Sequence, residues 1–183
     1  MESDVRRHWP KSVARIVFGL ILAIDAIFKW TPAFRKEYLG MVVDAAKGQP
    51  GWLVPWFRFW IALITPRVGF FSVATAIIET YIALALILGF ARKSTYLITI
   101  VFGLLIWSTA EGFGGPYTAG ATDVGTGIIY ALGAVFLLAL NAEAGTSKLS
   151  LDAWLETRIP WWPVVAEAGP RASRTVSGTH LTG

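Results

Sequence analysis

Ionisable residues stand inside or at the ends of apolar runs, among them Asp25, Lys29, Glu79, Glu111 and Asp123. At the centre of a membrane helix such a group costs about 2.5–3.5 kcal/mol, so it needs a partner, a wet cavity or a task. Asp25 and Lys29 are four apart and share one helical face, which makes a structural ion pair. Lys29 is also close enough to the end of its run to reach toward water. Glu79 lies midway along another run with no cation near it in sequence. It requires Lys29 or Arg15 from a different segment, a hydrogen bond as a neutral acid, or the role of a proton-handling group. Glu111 ends a third run, where an acid opposes the helix dipole and calls for a nearby cation. Asp123 follows Thr122 at the start of a fourth run, and reads either as a helix cap or as a site residue. Glu79, Glu111 and Asp123 are therefore the candidate catalytic carboxylates. Lys29, with Trp107, Tyr117 and Tyr130 beside it, is the candidate binding surface for a polar headgroup or small anion. Trp30 belongs to the same region.

These residues must be positioned by apolar helices. The chain has 183 residues, 55% of them hydrophobic and only 15% charged, against about 25% charged in ordinary soluble domains. Its mean hydropathy is +0.56. A bilayer core needs roughly 20 apolar residues per helix, and four runs approach that: 12–30, 68–90, 96–113 and 122–140. None alternates as a barrel strand would. The expectation is an all-α integral membrane four-helix bundle. A fifth piece, 51–65, is too short to span. It carries Trp52, Trp56 and Trp60 four apart on one face, and Pro66 ends it. It reads as an additional interfacial helix between the first and second spans. The glycine-rich stretch 112–122 breaks the helical pattern between Glu111 and Asp123 and permits close approach of a ligand.

The domain plan follows: a basic arm at 1–11, the transmembrane domain at 12–141, and a tail at 142–183 that is partly interfacial and then disordered. The first run is long, holds Asp25 and offers no small-residue cleavage site, so it reads as a retained anchor. Ten of the 16 Lys and Arg fall on the side of the two ends, which places both termini in the cytoplasm. The chain has no cysteine, which excludes thiol nucleophiles, iron–sulfur clusters and Cys-ligated zinc. His8 and His180 lie far from any acidic cluster, so no metal is expected. The net charge of +4 fits basic loops at a lipid surface, and no nucleic-acid partner is expected.

In the order of its pieces the chain resembles the DoxX/DoxD-like family of four-helix membrane proteins. The pieces are Arg15, Gly19 and Lys29–Trp30 in the first run; Glu79 followed by LILGFAR ending at Arg92; and AEGFGGPY and GATDVGTGIIY around the last loop. The resemblance covers about 12–141 and is nearest to the DoxD-like branch. Asp25 departs from it, standing where a small residue is expected. The resemblance implies a multi-pass protein of a bacterial or archaeal cell membrane, associated with quinone-linked electron transfer of the thiosulfate:quinone oxidoreductase kind. It implies quinone as cofactor and other membrane subunits of a redox complex as partners, beside the lipid bilayer. Lys29, Glu79, Arg92, Glu111 and Asp123 match its family-type positions without individual roles. The alternatives are a non-catalytic accessory subunit of a respiratory or photosynthetic complex and, third, a small transporter.

Overall fold

The computed structural model describes residues 2–115, 124–144 and 149–169. Among them the chain is helical, with no strand. The helices are α1 (Glu2–Lys29), α2 (Pro32–Ala45), α3 (Val54–Ile64), α4 (Val68–Leu88), α5 (Arg92–Thr109), α6 (Thr126–Ala144), α7 (Leu151–Leu155) and α8 (Pro163–Ala166). Two helical runs are long and apolar enough to cross a membrane. One is Gly51–Leu88, which runs through α3, a 3-10 turn and α4; the other is Thr126–Glu143. α1 and α5 have comparable length, but α1 carries Arg15, Asp25 and Lys29, and α5 opens on Arg92 and Lys93.

α1 lies along α4, and α5 lies along α6. The two pairs share one core, in which Leu22, Ile82, Leu86, Tyr96 and Leu137 are all buried. Small residues let the helices come this close. A Cβ on Gly127 would stand 2.5 Å from the carbonyl oxygen of Gly103, so α5 and α6 touch backbone to backbone there. α4 stops at Gly89, whose φ of 68° is open to glycine at little cost. The Arg15 guanidinium packs against the bare Cα of Gly89 and donates to the carbonyls of Leu86, Ile87 and Leu149.

Three parts differ from the sequence expectation. First, the outer segment contains α2, a helix that the apolar run lengths do not mark. Thr31 accepts from the Phe34 N–H, and Pro32 opens the helix, which is the standard start pattern. Second, the three tryptophans do not present one common face. Trp52 sits in a 3-10 turn ahead of α3 and is exposed, so helical spacing does not align it with the others. Trp56 turns inward and donates to the Ser108 carbonyl at 2.8 Å. Pro66 interrupts α-helix as expected, through a 3-10 turn at Thr65–Arg67 that leads into α4. Third, the tail from 149 to 166 is not merely laid on a surface. Asp152 and Ala166 have no exposed area and are packed into the end of the bundle.

Candidate functional site

Asp25 and Lys29 come from the last turns of α1, Glu79 from the middle of α4, Glu111 from the residue pair after α5, and Tyr130 from α6. All five line one polar chamber of about 120 Å³, together with Thr99, Gly103, Thr126 and Gly127. The Lys29 ammonium is 3.1 Å from Asp25 Oδ1 and 3.9 Å from Glu79 Oε2. Glu79 is 5% exposed, and its Oε2 has no hydrogen-bond donor among the described residues. One ammonium is thus shared by two carboxylates, with the hydrogen bond going to Asp25.

Glu111 is held differently from the sequence expectation. Its countercharge is not a side-chain cation but the start of α6. Its carboxylate accepts the N–H of Thr126 at 3.1 Å and that of Gly127 at 2.9 Å. These are orphan donors at the positive end of the α6 dipole. Gly127 also admits the carboxylate, since a Cβ there would lie 3.2 Å from Glu111 Oε2. The start of α6 thus receives a cap from Glu111, two residues past the end of α5; the expected local cap by Thr122–Asp123 falls on residues outside the described ones. Asp123 and Tyr117 lie outside the described residues.

A second chamber of about 470 Å³ adjoins the first. Lys29, Glu79, Phe102, Ile106 and Glu111 line both. Its other walls come from α2, α3, α4 and α5 and are mostly aromatic or aliphatic, among them Phe34, Met41, Trp60, Phe70 and Phe71. Its polar groups are few. The Tyr38 hydroxyl is 3.0 Å from Thr75 Oγ1, and burial raises the Tyr38 phenol above its ordinary pKa. The indole N–H of Trp60 has no acceptor among the described residues. The arrangement is an apolar volume of ligand size whose inner wall carries the ionisable groups.

Of the predicted binding aromatics, Tyr130 lines the polar chamber. Trp107 does not line either chamber; its N–H donates to the Val124 carbonyl at 2.8 Å and its ring packs on Phe113. Trp30 bonds Thr80 Oγ1 at 3.0 Å. Tyr38 and the α2 wall went unrecognised because that helix was not foreseen, although the Thr31–Pro32 start signal marks it; Trp60 was expected on the interfacial helix but not at a site.

A second charged cluster occupies the other end of the bundle. Asp152 accepts the N–H groups of Ala91 and Arg92 at 2.7 and 3.0 Å, the Arg92 Nε at 2.8 Å and the Trp162 indole at 2.8 Å. Arg92 is 3% exposed. Burial, with repulsion from Arg92, pushes the Lys11 ammonium down to about 8. The bonding of Asp152 is complete and structural. The chain was also compared with known families, curated proteins and solved structures, and none of the three comparisons gave a match.

Proposed function

We propose that this chain is a multi-pass membrane subunit associated with quinone-linked electron transfer, and that its two chambers form the quinone-side site. Several features support a bilayer setting. Large apolar side chains point outward on all four long helices, including Ile24 and Ile27, Leu84, Val101, and Leu132 and Phe136. An aqueous exterior would leave this belt unpartnered, whereas lipid covers it. In this reading α1, α4, α5 and α6 span, both ends face the cytoplasm, and α2 and α3 lie at the outer face.

The observation that carries the functional reading is the meeting of the 470 Å³ apolar chamber with Lys29, Glu79 and Glu111 on one wall. A quinone supplies a flat apolar ring whose oxygens take up protons as it is reduced. The chamber fits such a ring: its walls are aromatic, and the Trp60 N–H and Glu79 Oε2 lack hydrogen-bond partners. Glu79 then holds or delivers a proton at its carboxyl oxygens, Lys29 keeps it oriented, and Trp60 offers an N–H to a carbonyl oxygen.

The thiosulfate half of the resemblance fits this chain less well. Lys29 is already shared by two carboxylates, so a dianion entering the polar chamber meets surplus negative charge. The sulfur donor is therefore assigned to a partner subunit. With no cysteine the chain offers no thiol or Cys-ligated relay, so electrons pass directly to the quinone or through a partner chain. A wholly non-catalytic accessory role is the second reading, favoured by that same absence.

The test is quinone-analogue binding by the full chain in lipid nanodiscs. Ala74 lines the apolar chamber, and Ala74→Trp fills it. The wild type is expected to bind the analogue, and Ala74→Trp to weaken binding by about tenfold or more, the scale of a displaced buried ring. Equal binding by both proteins contradicts the site.

A further inference from the structure

Quinone is neutral, and it leaves one property of the site unanswered. Among Asp25, Lys29 and Glu79 there is one positive group for two carboxylates, and Lys29 gives its hydrogen bond to Asp25. Glu111 does not share that ammonium, because the α6 N-terminus holds it. Glu79, buried to 5% exposure with Oε2 lacking a donor, is the acid left without a counter-ion of its own. A low-dielectric interior penalises such an imbalance until a proton or a cation meets it.

The wall beside Glu79 is built for a cation with an apolar body. Phe34, Tyr38, Trp60, Phe70, Phe71 and Phe102 line the chamber. Aromatic faces attract cations within about 6 Å of the ring centre. One such contact already exists there: the Lys29 ammonium lies 5.2 Å from the Phe34 centroid. A metal ion does not fit. Among the described residues no group of three His, Cys, Asp or Glu is placed to hold one, and hard cations require several oxygen ligands.

We propose that the apolar chamber takes a membrane-soluble organic cation with an aromatic body, held with Glu79 as its counter-ion. This reaches beyond the quinone reading and rests only on the chamber and its charge balance. A proton resident on Glu79 is the competing way to meet the imbalance, and the experiment separates the two.

Tetraphenylphosphonium and the neutral triphenylphosphine oxide are titrated by calorimetry into the full chain in nanodiscs. The wild type is expected to bind the cation about tenfold or more tightly than the neutral probe. Glu79→Gln is expected to abolish that preference. Equal affinities in the wild type overturn the proposal, as does a cation preference that survives Glu79→Gln. If Glu79→Gln elutes aggregated, the wild-type comparison alone decides. Quinone-analogue binding is measured on the same samples, so failure of the quinone reading is seen separately.

Discussion

At the scale of single residues, the site is governed by where each carboxylate finds its positive partner. Glu111 finds two backbone N–H groups at the start of α6. Asp25 finds Lys29, and Glu79 is left to share it. In the proposed function the roles divide: Glu111 ties the end of α5 to the start of α6, whereas Glu79 is the acid left for proton traffic. Glu111→Ala removes a cap and is expected to destabilise the fold by about 0.5–2 kcal/mol, while Glu111→Gln keeps an acceptor oxygen and is expected to cost less. Thermal unfolding in detergent, followed by circular dichroism, checks the order of the two; a reversed order contradicts the capping role. The Asp25–Lys29 pair could be read from spacing alone, because i and i+4 always share a helix face. Glu79's link to Lys29 could only be offered as one of two choices. The cap on α6 was hidden, because it joins residues 111 and 127 through backbone atoms, and backbone N–H groups carry no sequence signature.

Helical elements explain why some expectations held their shape and others did not. The apolar runs at 12–30, 68–90, 96–113 and 122–140 are long, and long periodic runs declare themselves. Helices α1, α4, α5 and α6 overlie them, but α1 begins already at Glu2, through the expected basic arm, and other ends shift to Leu88, Thr109, Thr126 and Ala144. The short elements depend on contacts instead. α7 has only five residues and cannot stand alone as a helix. Ser150 caps it by accepting the Ala153 N–H, and Asp152 ties it to the α4–α5 turn. The same carboxylate stabilises Ala91, a non-glycine residue at a φ of 43°, through its N–H. Arg92 and Asp152 form a buried pair with 3% and 0% side-chain exposure. Asp152→Asn removes the nearer of two carboxylates on the Arg92 guanidinium, leaving Glu156 at 3.5 Å, and is expected to cost about 3 kcal/mol. Limited proteolysis after Leu149 gives the readout: rapid cleavage of the variant is expected, and wild-type resistance would contradict the clasp. Sequence reading saw the tail as interfacial because Trp154, Trp161 and Trp162 suggest headgroups. Trp154 and Trp161 are indeed exposed, but Trp162 is buried and bonds Asp152.

On the scale of the whole molecule, the two ends of the bundle do different work. One end is closed by Arg15, Arg92 and Asp152, whose hydrogen bonds fasten the tail to the turns. The other end is left hollow, and α2 and α3 wall it off above α4 and α5. The result is a partly open cleft of about 470 Å³ walled mostly by aromatic and aliphatic side chains, the shape and lining that small-molecule sites favour. Keeping it open beside an imbalanced pair of acids is the feature that marks it as a site. The expectation that acids from separate segments meet in one pocket could be drawn from the alternation of runs. The size of the apolar chamber could not, since it depends on α2, whose helical start signal is local and whose packing is not.

The most direct measurement is photoaffinity labelling of the full chain in nanodiscs with an azido-quinone, with the labelled residues mapped by mass spectrometry. The account predicts labels on Met41, Phe71, Ala74 and Phe102, which wall the apolar chamber, and their loss in Ala74→Trp. Labels spread instead over the outward belt at Ile24, Val101 and Phe136, unchanged by that substitution, would contradict it.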